Sequence, residues 1–340
     1  MDWFERITGF AETDAETIRS RLAVEGDQLV SRVNGSRHGI GRLRLCSLDQ
    51  LRQLSPALPL GGQRTRLSTL AGDVRALHRS PQNAGALFQV ASQFNLLEMV
   101  SPEVSPEDGV TRYAQDMTQG PACAMAAGAA TIYRNYFVPV DAEPGQTSTR
   151  QIDTLGPLGE ALAGALGVPR DALWAMRNGY VQCTADGLGA IGRYLRAASQ
   201  ADLEALRARL IIGLHQDVEV TDAPGPLRPR VSQAFCAALP VAYSPLAPSA
   251  WEPFARLVLE AAYEATLLAA AQARQRGASA RVLLTRLGGG AFGNHGRWID
   301  DAIGRALARV EWAGLDVHLV SFGSSHPANM AIAGRWAEGA

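Results

Sequence analysis

LLTRLGGGAFGNHGRWIDDAI, residues 283–303, joins a short apolar run to three consecutive glycines, a fourth glycine three positions on, and an apolar repeat of helical spacing. Upstream, WEPFARLVLEAAYEATLLAAAQARQRG (251–277) sets Phe254, Val258, Ala261, Ala265 and Leu268 on one face and predicts a long helix. ARVLLTRL then reads as a strand, Ile299, Ile303, Ala306 and Val310 mark a second helix, and DVHLVSFG (316–323) reads as a final strand. Helix, strand, glycine loop, helix, strand is the signature of an α/β fold whose parallel strands deliver their loops to one edge of the sheet. Ligands of such folds bind outside the carboxyl ends of the strands, where the strand order switches.

Three glycines in a row are costly, because glycine loses more backbone freedom on folding than any other residue. A loop of this kind presents main-chain N–H groups with no side chains in the way, and at a helix start it attracts an anion, most often phosphate. Gly288, Gly289, Gly290 and Gly293 fit that description, with Ala291 and Asn294 in the same loop and Phe292 placed to pack on a ligand. A tight strand-to-helix turn is the competing account. The spacing is not that of a GxGxxG dinucleotide fingerprint.

Composition narrows the chemistry. The 340 residues carry a formal net charge of −1, so no basic field argues for nucleic acid. No apolar run reaches membrane-spanning length and the amino terminus lacks the layout of a signal peptide, so a cytoplasmic protein is expected. All 32 basic residues are arginine. The absence of lysine excludes Schiff-base chemistry, pyridoxal phosphate attachment and a P-loop. The four cysteines form no CxxC pair and the six histidines no HExxH, so neither a metal nor a cofactor is predicted.

Residues 1–35 read as helical, and 36–54 as a strand running into a loop or helix, with Leu43 and Leu45 alternating. LSTLAGDVRALHR has helical spacing. ALFQVASQFNLLEMV (86–100) is a buried strand that empties into a polar segment, and ACAMAAGAATIYRNYF (122–137) is a small-residue helix. Residues 152–210 read as mostly helical, whereas LIIGLHQDVEV (210–220) and VSQAFCAALPVAYS have strand character.

VASQFNLLEM sets Asn95 at the rim of the sheet, with both a donor and an acceptor for a sugar hydroxyl; an Asx-type turn is the alternative. Taken in order, VASQFNLLEM, TQGPACAMAAGAATI, AALPVAYS with LVLEAAYEATLLAA, and VLLTRLGGGAFGN resemble a divergent macro domain, the ADP-ribose-binding fold. The resemblance covers roughly residues 36–138 and 230–323. It implies a three-layer α/β/α domain over 36–340 with a mixed, largely parallel sheet, a mostly helical insertion at about 140–228 and a helical segment, 1–35, before it. The sequence departs from the family in carrying a single asparagine in SQFN and a long polar stretch before Gly120. It also lacks the double glutamate of poly(ADP-ribose) glycohydrolases.

The resemblance implies ADP-ribose as ligand, free or attached to protein or nucleic acid, with the glycine loop at the diphosphate and Asn95 at the distal ribose. The aspartate that meets the adenine amine in that family falls on Ser47 or Asp49. Cleavage of an ADP-ribosyl bond needs carboxylates near the distal ribose. Glu98 and Asp116 are the candidates, with Thr118 and Gln119 to orient water or a hydroxyl and Gly120 to permit close approach. Glu103, Glu107 and Asp108 read as a solvated turn and helix start. Two other readings stand beside the hydrolase: a non-catalytic ADP-ribose-binding module, and a cysteine-dependent hydrolase using Cys123 with His215 or His295. Asp217 and Glu219 share one strand face and suit a cation or plain solvent. Tyr263 reads as core, Arg286 as a phosphate contact or a solvated side chain. Trp174, Arg177 and Tyr180 read as pocket cover, subunit contact or core.

Overall fold

The computed structural model describes residues 1–55 and 62–339. Seven strands form one sheet: β1 (Arg42–Ser47), β2 (Arg66–Ala71), β3 (Leu87–Ser92), β4 (Ile211–Glu219), β5 (Arg230–Ala237), β6 (Arg281–Leu284) and β7 (Asp316–Ser321), in the order β1-β4-β5-β3-β6-β7-β2. β4 runs antiparallel to both β1 and β5, and the other four pairs are parallel. The longer helices are α1 (Gln119–Ala126), α2 (Gly128–Tyr136), α3 (Gly156–Leu166), α4 (Ala185–Ala197), α5 (Gln200–Ala208), α6 (Pro248–Gln275), α7 (Gly296–Arg309) and α8 (Pro327–Glu338).

The period-two alternation of the strands builds two cores. Ala234, Cys236, Val282 and Leu284 pack with Tyr263, Ala302 and Ile303 of α6 and α7. Phe88, Val90, Phe235 and Leu283 point the other way, onto Cys123, Ala126 and Ala130 of α1 and α2. Helices on both faces of a mixed, largely parallel sheet make the expected three-layer α/β/α arrangement.

Several local expectations are corrected. Residues 1–35 are only partly helical: short helices Trp3–Thr8 and Ala15–Arg21 lead into a three-stranded antiparallel sheet that ends at Arg37–Gly39. LSTLAGDVRALHR is β2 followed by a short helix, Val74–Arg79, because pairing with β7 overrides its helical spacing. The 122–137 helix breaks at Ala127. A Cβ on Gly128 would lie 2.5 Å from Ile7 Cδ1, so the amino-terminal helix seats where the break exposes glycine. The segment 140–228 contains α3, α4, α5 and a hairpin (Trp174–Arg177 with Tyr180–Cys183), yet it also contains β4, an interior strand. The helical excursion therefore ends before Ile211. Helix α8, not foreseen, lies against the β2 edge, where Trp336 Nε1 donates to the Thr65 carbonyl at 3.0 Å.

Candidate functional site

β3 and β6 pair only at Leu87–Val282 and Phe88–Leu283, whereas β3 and β5 stay in register to Ser92 and Ala237. The sheet thus splits beyond Phe88, between the two strands from which the chain continues in opposite directions. That is the switch point of an α/β sheet. Gln119 of α1 occupies the split: its side-chain oxygen accepts the Ala91 N–H at 2.9 Å and its amide donates to the Gln89 carbonyl at 2.8 Å. Both ends of the amide are engaged by β3. The expected water-orienting role of Gln119 is therefore corrected to that of a side chain that completes a strand edge.

A cavity of about 390 Å³ opens at this point, lined among others by Glu98, Asp116, Thr118, Gln119 and Gly120 on one side and Gly288, Gly290, Ala291 and Phe292 on the other. It falls within the range of small-molecule sites. The two segments singled out in the sequence, remote in the chain, face each other across it.

The glycine loop does not open α7 directly. It folds as turns over residues 287–292, and α7 starts at Gly296 behind a cap from His295, whose Nδ1 accepts the Arg297 N–H at 3.3 Å. Among the described residues, no protein group accepts from the N–H of Gly290, Ala291 or Phe292, while Gly289, Gly293 and Asn294 bond within the loop. The available donors come from the turn rather than the helix end. Gly288 has φ +71° and a Cβ there would sit 2.4 Å from Ala238 Cβ, so only glycine fits; at Gly290 nothing lies within 4 Å.

Gly293 and Asn294 do not line the cavity, which corrects their expected ligand role. The Asn294 amide donates to the carbonyls of Leu239 (2.8 Å) and Gly288 (3.3 Å) and staples the loop to the end of β5. Tyr263, in the core as expected, fixes the loop's entry: its hydroxyl donates to the Thr285 carbonyl at 2.7 Å and accepts the Leu287 N–H at 2.8 Å. Tyr263→Phe removes both bonds and leaves the two backbone groups only their mutual 3.0 Å contact, Leu287 N–H to the Thr285 carbonyl, so it should cost about 1 kcal/mol, read as a lower Tm.

Glu98 is the chemically distinctive residue. It is buried, its Oε1 has no hydrogen-bond partner, and burial raises its carboxyl well above the ordinary glutamate range, with Arg134 opposing and Asp116 adding to the shift. Burial thus favours the protonated form of the group. Its position follows from a strained turn. Leu96 has φ +64°, the Leu96 carbonyl accepts from Arg134 Nε at 3.2 Å, and the Glu98 N–H donates to the Tyr113 hydroxyl at 3.0 Å. A Cβ on Gly120 would stand 2.2 Å from Glu98 Oε2 and 2.1 Å from the Ala91 carbonyl oxygen. Gly120 therefore admits the carboxyl to the first turn of α1.

Asp116 lines the cavity while its Oδ1 accepts the Thr118 N–H at 2.8 Å. Asn95 is displaced from its expected place at the distal ribose. Its oxygen accepts the Leu97 N–H (3.0 Å) and its amide donates to Gln151 (2.9 Å), which donates on to Asn178 in the hairpin turn. The Asx-turn alternative holds, and Ser92 and Gln93 face the cavity in its stead. Tyr180 of the hairpin forms a cavity wall and donates to the Met99 carbonyl at 2.6 Å, whereas Trp174 is core. Arg177 stands 3.5 Å from Glu103 on an exposed face.

A second chamber, about 420 Å³, adjoins the first past Asp116, Gln119 and Gly290, and it alone includes Gly289. Asp73, Val320 and the exposed Phe322 line it. Ser47 and Asp49, given the adenine role by resemblance, lie at the opposite edge of the sheet, where Ser47 caps the helix Leu48–Gln53. Asp73, which follows β2 and Gly72, lines the second chamber instead. The signal was present in LSTLAGDV, a strand ending in Gly-Asp, and was obscured by its helical spacing.

The remaining candidates resolve as structure. Cys123 lies one turn inside α1, fully buried, and burial pushes its thiol well above the ordinary value, which removes the thiolate a cysteine nucleophile needs. His215 is buried 3.2 Å from Arg134 Nη1 and is held neutral by burial and that guanidinium. Arg286 is the exception: it lines both chambers while its guanidinium pairs with Asp300 at 2.6 Å. Glu219 accepts the Gly39 N–H and an Arg228 bond, and Asp217 pairs with Arg230, so neither is free for a cation. Among the described residues, no group of three His, Cys, Asp or Glu suits a metal, and no helix is long and apolar enough to cross a membrane.

No family model matches the chain, and no curated protein matches it by sequence. Solved structures similar to it include the poly(ADP-ribose) glycohydrolase of Thermomonospora curvata, at 15% identity over 95% of this chain and 96% of that one, with a TM-score of 0.46. The same enzyme bound to the inhibitor ADP-HPD is 17% identical over 94% and 97%, with a TM-score of 0.44. The poly(ADP-ribose) glycohydrolase of Deinococcus radiodurans in complex with ADP-ribose is 13% identical over 87% and 94%, with a TM-score of 0.45. At such low identity, residue roles follow from this chain's own geometry.

Proposed function

We propose that this protein binds ADP-ribose and hydrolyses an ADP-ribosyl linkage on a protein, a nucleic acid or a small molecule. The observation that carries the reading is Glu98: a buried carboxyl with an unpaired oxygen, its protonated form favoured by burial, at a cavity whose other wall offers free main-chain N–H groups. A dinucleotide-like ligand suits two chambers in series. The turn over Gly290–Phe292 suits its diphosphate, since clustered backbone N–H groups bind anions without lysine. Asp73 and the Phe322 ring suit the base in the second chamber, and the sugar then meets Glu98 and Asp116.

In this arrangement Glu98 donates its proton to the departing atom, and Asp116 takes the proton of the attacking water. Titration calorimetry with ADP-ribose, against AMP and ribose 5-phosphate, tests the ligand. Saturable binding with ADP-ribose tighter than either half is expected, and equal or absent binding overturns the reading. Release of ADP-ribose from a modified protein separates a hydrolase from a non-catalytic reader.

A further inference from the structure

A third chamber, about 170 Å³, shares Glu98, Met99, Val100 and Asp116 with the main cavity and continues beyond them between Val104, Arg112 and Gln115. We propose that this chamber is the leaving-group subsite, and that it takes an O-linked, hydroxyl-bearing group of amino-acid side-chain size. The inference rests on the proposed ADP-ribosyl hydrolase activity and specifies its substrate.

A group that protonates a departing oxygen must stand between the sugar and whatever leaves. Glu98 and Asp116 are the carboxyl residues common to the two chambers, which makes them that boundary. The chamber has less than half the volume of either neighbour, so it seats a side chain and not a second nucleotide unit. Val100 and Val104 give it an apolar wall for a methylene or methyl stem. Arg112, at the rim, has its guanidinium 3.4 Å from Asp108, which tempers its charge and disfavours selection for a free anion.

The linkage follows from leaving-group chemistry. An alkoxide is far more basic than a carboxylate and has to be protonated as it departs, whereas an acyl-linked carboxylate leaves unaided. A buried carboxyl at the junction, where its protonated form is favoured, serves the first case and is superfluous in the second. In the step, Glu98 gives its proton to the linking oxygen as the bond from that oxygen to the anomeric carbon breaks, its electron pair staying on oxygen. A water oxygen bonds to the anomeric carbon, and the water proton passes to Asp116. Solvent then carries a proton from Asp116 back to Glu98. One water is consumed, and the products are ADP-ribose and an alcohol.

The test uses the full chain with four substrates: peptides ADP-ribosylated on serine, on glutamate and on arginine, and poly(ADP-ribose). The serine peptide should be cleaved at least about tenfold faster than any other. Gln115→Trp, made at an exposed position, walls off the chamber and should lower kcat/KM for the serine peptide by about tenfold or more while the Kd for free ADP-ribose holds. Gln53→Trp, the same exchange at an exposed position on the helix Leu48–Gln53 at the opposite edge of the sheet, should retain turnover. Preference for the glutamate ester, the arginine peptide or the polymer overturns the proposal, as does Gln115→Trp without effect or with lost ADP-ribose affinity. Failure of the wild-type protein to bind ADP-ribose at all overturns the underlying function instead, and the inference with it.

Discussion

Glu98→Gln should lower turnover by at least about 10²-fold while the Kd for ADP-ribose stays within about twofold. Burial favours the protonated form of the carboxyl, so the amide matches that form in shape and charge and removes only the transferable proton. A loss of affinity equal to the loss of rate would mean that Glu98 holds the ligand without acting on it. A silent substitution would place the acid elsewhere.

The same group predicts a pH signature. Its folded pKa is raised, so its contribution to stability is full below the unfolded glutamate value and is lost as pH rises towards and through the folded value. Wild-type Tm should therefore fall with rising pH relative to Glu98→Gln, and kcat should fall on the same limb as the acid ionises. Burial is the first cause of the shift, with Asp116 adding to it; Arg134 opposes both from a buried position.

Gly120→Ala should be the most damaging single methyl in the site. The new Cβ would meet the Ala91 carbonyl oxygen at 2.1 Å and Glu98 Oε2 at 2.2 Å. The carboxyl can swing aside, but the carbonyl belongs to β3, in the centre of the sheet, and cannot yield without shifting α1. A cost of about 3 kcal/mol or more is expected from such overpacking, with activity lost in whatever fraction still folds. Gly290→Ala is the matched comparison. It has open space and a backbone that tolerates a side chain, so its Tm should stay near wild type. Equal destabilisation by the two changes would contradict the close contact between α1 and β3.

Much of the architecture is legible in the chain itself. The alternation from residue 251 to 323 gives helices and strands at α6, β6, α7 and β7, because each apolar pattern there is long enough to have one period. Short patterns mislead where a partner decides: LSTLAG becomes a strand on meeting β7, and Ala127 breaks a helix where Ile7 presses on Gly128.

Composition and motif single out Glu98, Asp116, Gly120 and the glycine loop, since a buried run emptying into polar residues marks a sheet rim, and the fold brings them to one cavity. They could not tell which polar atoms remain free. Asn95, Gln119 and Asn294 have amides suited to a ligand, yet in the fold they bond Leu97, β3 and Leu239, and a hydrogen bond already made is unavailable to a substrate. Asp73 was hidden for the converse reason, because its nearness to Gly289 arises only when β2 closes the far edge of the sheet.

The sequence by itself determined the layered α/β order, the lysine-free chemistry and the carboxyl that confronts the loop. Only the tertiary structure decided which donors and acceptors stay unpaired, which chamber each one faces and whether a carboxyl keeps its proton. Those properties depend on desolvation and on neighbours distant in the chain, and residue type and spacing do not encode them.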